Sequence, residues 1–126
     1  MELENLPIFD SQLGIKLAGN KKDLAEDLFK MLVNNLPTEI AAIKSSHSAQ
    51  QYLTLHQKLH QLHGALCYSA APRLKKIVSH LESEIKQNHI ENLPSLLNIL
   101  DHEVNSLLEY YSVNYIQLFT NEKMTG

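Results

Sequence analysis

The sequence predicts an all-α fold, an up-down antiparallel four-helix bundle with a short N-terminal capping helix. Three observations carry this. Apolar residues recur at helical spacing in five successive stretches, and none sustains the period-two alternation of a strand. The links between the stretches are short, which makes sequential helices antiparallel neighbours. At 126 residues the chain is expected to form one domain over 1–126, with a core over about 7–119 and a frayed tail over 120–126.

Taken in order, the first stretch starts at Pro7, whose missing N–H costs nothing in a first helical turn. Ile8, Phe9, Leu13 and Leu17 make it a short amphipathic lid, broken at Gly19. Asn20 is the expected N-cap of a longer helix, in which Leu24, Leu28, Met31, Leu32 and Leu36 follow the 3.6-residue period. Pro37 is expected to bend this helix, and Ile40 and Ile43 carry its apolar face on to about Lys44. Ser45, Ser46 and Ser48 read as a weak break. A third helix is expected over 49–67 and a fourth from Pro72, with Leu74, Ile77, Val78, Leu81 and Ile85 on one face and an end near Gln87, Asn88 and His89. The fifth, over 93–119, carries Leu96, Leu97, Leu100, Val104, Leu107 and Leu108.

Composition excludes several function classes. A net charge of −3 with scattered lysines offers no basic face to nucleic acid or to an anionic membrane. No apolar run reaches the length of a membrane span. The single Cys67 excludes an internal disulfide and, with no cationic start leading into an apolar run, points to the cytoplasm. There is no Gly-rich phosphate loop and no Gly-x-Ser-x-Gly elbow, so neither ATP chemistry nor serine hydrolysis is legible. One apolar stripe per helix with a polar remainder fits a monomer.

The chemistry concentrates on the third helix. On a helical projection Leu55, Leu59, Leu62 and Leu66 share an arc of about 60°, while His56, His60, His63 and Cys67 share a second arc centred about 100° away. The leucines belong in the core and the histidines at its edge. Gly64 stands one turn after His60, at a helix-interior position where glycine costs about 1 kcal/mol against alanine. The plainest account is three histidines on a polar helix face. A metal-binding helical bundle is a second reading, because His56 and His60 at i, i+4 can share an ion with His63 or Cys67, but one helix face does not supply four tetrahedral ligands. A third makes His60 a phosphoryl carrier, since imidazole is a good nucleophile at neutral pH and the dent at Gly64 admits a partner's active site. A helical interaction module that accepts no phosphoryl group is a fourth.

The string His60-Gln61-Leu62-His63-Gly64-Ala65 is similar to the H-x-L-K/H-G-S/A signature of histidine-containing phosphotransfer (HPt) domains. Tyr68-Ser69, Pro72-Arg73-Leu74, Leu17-Ala18-Gly19-Asn20 and Asp23-Leu24-Ala25 extend the likeness over essentially the whole chain. It resembles the HPt domain that ends hybrid sensor histidine kinases of the BarA/GacS type. The resemblance implies that His60 is the phosphoryl acceptor, at Nε2, that His63 lies near the phosphoryl oxygens, and that Gly64 and Ala65 fill small-residue positions. His56, Gln57, Lys58, Gln61, Ala65 and Arg73 are the implied partner contacts, with Arg73, Lys75 and Lys76 adding positive potential. The implied partners are receiver domains of a hybrid kinase or response regulator, in which Mg2+ would be bound. No cofactor or metal is implied for the chain itself, and it would be a carrier in a phosphorelay rather than an enzyme, free-standing or the cytoplasmic end of a membrane-anchored kinase. Cys67 and Ala70 depart from that pattern, standing where such domains usually carry glycine, and are expected to tighten or shift the turn after the third helix.

Overall fold

The computed structural model describes residues 2–116, 118 and 119. The helices are α1 (Ser11–Leu17), α2 (Lys22–Ser48), α3 (Tyr52–Leu66), α4 (Pro72–Lys86) and α5 (Leu93–Asn114), the last entered through one 3-10 turn at Ile90–Asn92. Among the described residues there is no strand. α3 packs against α2 and α4, α4 against α5, and α5 returns to α2, which closes a ring of four helices, while α1 lies on α2. Among the described residues no helix is long and apolar enough to cross a membrane.

Packing fixes the rotation of α3. Leu55, Leu59, Leu62 and Leu66 are wholly buried and join Phe29, Leu36, Ile43, Leu74, Ile77, Leu81, Leu93 and Leu100 in one core cluster. Each buried leucine contributes about 1.5–3 kcal/mol, far more than any surface contact, so the leucine stripe dictates where the histidine stripe must stand.

The helix ends differ from expectation in instructive ways. Asn20 does not cap α2; it takes a left-handed conformation with Gly19, and Lys21 precedes the first turn without a side-chain cap. Three helices end in the same motif, with Gly19, Gln50 and Asn88 at positive φ and paired backbone bonds back into the last turn. In α2 these run from the Gln51 N–H to the Ser46 carbonyl and from the Gln50 N–H to the His47 carbonyl. This closure consumes residues 49–51, so α2 runs on to Ser48 and α3 starts at Tyr52. The serine run does not break α2, and the buried Ser46 hydroxyl is satisfied within the helix by donating to the Ala42 carbonyl one turn back. The chain passes through Pro37 within one helix. α5 stops at Asn114, short of 119, yet Phe119 stacks edge-on against Phe9 at 5.3 Å and closes the end of the core. The expected tail over 120–126 lies outside the described residues.

The buried face of α2 also differs. Ala25, Phe29, Leu32, Val33, Leu36, Ile40 and Ile43 face the core, whereas Leu24 and Met31 are 43% and 59% exposed. The helix carries two apolar stripes, and the bulkier side chain of Phe29 decides which one is buried.

The turn after α3 is accommodated at Gly14. A Cβ there would lie 2.9 Å from the Cβ of Ala70, and the Asp10 N–H donates to the Ala70 carbonyl at 2.9 Å. Gly14 thus makes room for the Ala70 methyl. Gly14→Ala should lower unfolding stability by about 1–2 kcal/mol, overpacking outweighing the gain in helix propensity of about 1 kcal/mol. Adding Ala70→Gly should restore most of the loss in a urea titration; a double variant no more stable than Gly14→Ala would refute this packing account.

Candidate functional site

The leucine stripe of α3 leaves His60 standing out from the bundle with its side chain 72% exposed. Its Nδ1 lies 2.8 Å from Oε2 of Glu82, a residue of α4 whose own side chain is only 9% exposed. His63 Nδ1 stands 3.6 Å from the other carboxylate oxygen and His56 Nε2 stands 3.8 Å from Oε2. Both distances exceed hydrogen-bond range, so these rings flank Glu82 without bonding to it. The buried Nε2 of His56 has no hydrogen-bond partner. Three imidazoles therefore surround one carboxylate, and one of them is bonded to it and open to solvent.

That bond sets the tautomer. A carboxylate only accepts, so the His60 nitrogen facing it carries a proton, and in the neutral ring this leaves the lone pair on Nε2. The contact is a hydrogen bond from a neutral imidazole to a carboxylate, and its effect is on the orientation and tautomer of the ring rather than on the fold. Glu82 was missed in the sequence, although a signal exists: it interrupts the apolar run of Val78, Leu81 and Ile85 on α4, and a buried charge there needs a partner on the facing helix.

Gly64 borders His60 on open space. A Cβ added there would meet nothing within 4 Å, so the fold itself does not demand glycine. On the α2 side of this opening, Met31, Leu28, Ala65 and Tyr68 line a shallow groove of about 170 Å³. Met31 and Tyr68 are 59% and 61% exposed, an apolar surface the core does not use. Glu39 sits in the same groove, where burial pushes its carboxyl above the ordinary range and the nearby Lys58 charge opposes the push.

Of the other residues singled out in the sequence, Gln57, Gln61 and Ala65 are exposed around His60, and His56 and Lys58 are half-buried at its margins. Arg73 is not brought into this group. Its Nη2 pairs with Glu103 of α5 at 2.8 Å, with side-chain exposures of 21% and 4%, so it ties α4 to α5. Cys67 is a half-buried free thiol. Among the described residues no set of three or more His, Cys, Asp or Glu side chains is arranged to hold a metal ion.

Comparison with known proteins shows the family of the chain. The Hpt domain family matches residues 27–110. The sensor histidine kinase GacS of Pseudomonas protegens is 33% identical over 102 residues, covering 81% of this chain and 11% of that protein. The sensor protein GacS of Pseudomonas syringae pv. syringae is 34% identical over 99 residues, 77% of this chain and 11% of its own length. The signal transduction histidine-protein kinase BarA of Escherichia coli is 32% identical over 94 residues, 73% of this chain and 10% of that protein. The chain thus spans about a tenth of the length of these relatives. Among solved structures, the HPT domain of a sensor hybrid histidine kinase from Shewanella superposes with a TM-score of 0.77 at 25% identity, covering 92% of this chain and 96% of that one. The likeness read from the string around His60 is borne out, and the chain belongs to the Hpt domain family.

Proposed function

We propose that this Hpt domain carries a phosphoryl group on His60 Nε2 within a multistep phosphorelay. It takes the group from the aspartyl phosphate of a receiver domain and passes it to the aspartate of a response regulator. The observation that carries this reading is the exposed His60 ring tied at Nδ1 to the buried Glu82. In the transfer, the Nε2 lone pair forms a bond to phosphorus as the bond from phosphorus to the aspartate oxygen breaks, and the aspartate leaves as a carboxylate. The imidazolium so formed keeps its Nδ1 proton, and Glu82 faces the new positive charge. Loss of the phosphoryl group to a second aspartate reverses these steps.

The chain's own contribution is positioning and electrostatics, which dominate phosphoryl transfer. The Mg2+ ion belongs to the receiver, and the domain needs neither ATP nor a cofactor of its own, so it is a carrier rather than a kinase. His63 stands beside the phosphoryl oxygens. The receiver docks across Gly64, Gln57, Gln61 and Ala65, with the Met31 and Tyr68 groove taking apolar contact and Lys58 at the rim influencing partner choice. The domain acts in the cytoplasm where its receivers are, as a monomer.

Incubation with a radiolabelled phosphoreceiver and Mg2+ tests the reading. The protein should acquire an acid-labile, base-stable label, and a second receiver should remove it; failure to take label from a panel of receivers would reduce the domain to a binding module. Gly64 refines the test. Gly64→Ala should raise stability by about 1 kcal/mol, because the helix gains propensity and the Cβ meets open space. Gly64→Phe should fold as well yet slow labelling at least tenfold, and an unchanged rate would remove the close-approach role.

A further inference from the structure

A second concavity lies away from the Met31 groove and shares only His63 with the site described above. A groove of about 800 Å³ separates α1 from the outer face of α4 and reaches back to His63. Its α1 wall is apolar, with Leu13 and Leu17 joined by Leu6 from the segment before α1 and backed by the buried Leu66. Leu17 remains 37% exposed, so this wall is not covered by the fold. The opposite wall is cationic. Lys75 and Lys76 both project from α4 and both are exposed. Lys76 donates to the backbone carbonyl of Glu2 at 3.3 Å, which uses one of its protons without neutralising its charge. His80 stands beside them with its Nε2 3.6 Å from Oε1 of Glu84. None of the described residues lining the groove is acidic, in a chain whose net charge is −3.

An apolar wall facing an unanswered pair of ammonium groups selects a ligand that is apolar along its length and anionic at one end. The volume matches one small molecule, since pockets for such ligands run to about 300–1,000 Å³. We infer that the groove between α1 and α4 binds a single amphipathic anion. Its carboxylate, sulfonate or phosphate head pairs with Lys75 and Lys76, and its hydrocarbon or aromatic body lies along Leu13 and Leu17. The occupant is a free molecule rather than a membrane surface, because the leucines and lysines line one groove of about 800 Å³, the size of a single small molecule. This inference does not rest on phosphoryl transfer: a protein that never labels at His60 can still bind the anion.

Decanoate, decanol and phosphatidylglycerol vesicles are the probes, added to the whole chain and followed by amide chemical shifts. Decanoate should produce saturable one-site shifts confined to α1, α4 and the end of α3, and decanol should bind at least tenfold more weakly. The Lys75→Gln, Lys76→Gln double variant, altered only at exposed positions, should lose at least tenfold in decanoate affinity. Leu53→Ser, at an apolar residue 74% exposed elsewhere on the surface, should change nothing. Equal affinity for decanol, full affinity in the lysine variant, or shifts centred on Met31 would each overturn the site. Binding to the vesicles in preference to monomeric decanoate would overturn the free-molecule occupant.

Discussion

His60→Gln is expected to take up no acid-labile label from any phosphoreceiver that labels the wild-type protein, while unfolding within about 0.5 kcal/mol of it. The two halves of this expectation have separate causes. Stability is kept because the position is 72% exposed and because the glutamine amide can still donate to Glu82, so the buried carboxylate retains a partner. Label is lost because no neighbouring histidine repeats the arrangement. The Nε2 of His56 is buried and unpartnered, and the His63 side chain is only 28% exposed. Of the three histidines on α3, only His60 combines a hydrogen bond at one nitrogen with a ring open to solvent. Gel autoradiography after acid and base treatment decides it. Label surviving in His60→Gln would transfer the acceptor role to His56 or His63 and overturn the reading of the H-x-L-K/H-G-S/A string.

What could be read in the sequence follows from where one physical effect dominates. α3 was legible because its four leucines form one stripe with no rival, so helical geometry alone places the histidines at the core edge. α2 was not, because Leu24, Leu28 and Met31 repeat as regularly as Ala25, Phe29 and Leu32 and periodicity does not choose between them. The choice is made by tertiary packing, and the stripe left outside became the apolar groove beside Ala65 and Tyr68. The left-handed helix ends at Gln50 and Asn88 were equally hidden, since neither is the glycine that usually marks such a position. Arg73 looked like a rim charge in the sequence, but its bond to Glu103 depends on which way α4 faces. Glu82 was concealed for the same reason: it is separated from His60 by 22 residues, and only the packing of α3 on α4 brings the two together.

Glu82→Ala should leave the bundle folded and slow phosphoryl uptake about tenfold to a hundredfold, the usual cost of removing a group that orients a working imidazole. The carboxylate touches neither phosphorus nor the receiver; it is a positioning residue that acts through His60. Without it the ring is free to rotate and to put its proton on either nitrogen, and every molecule with the proton on Nε2 has lost its nucleophile. A purely structural role would slow transfer only in step with unfolding. The decisive readout is therefore the 15N spectrum of the His60 ring, which should show a single tautomer protonated at Nδ1 in the wild type and a mixture in Glu82→Ala. Glu82→Gln separates shape from charge, because its carbonyl can still accept from Nδ1–H at the same place: it should keep the single tautomer and recover most of the orientation, while lacking the negative charge that faces the imidazolium formed on transfer. An intermediate rate in Glu82→Gln would apportion the effect between orientation and charge. A wild-type rate in Glu82→Ala, with the tautomer mixture present, would mean that the docked receiver orients the ring itself and that the bond between His60 and Glu82 has no part in the chemistry.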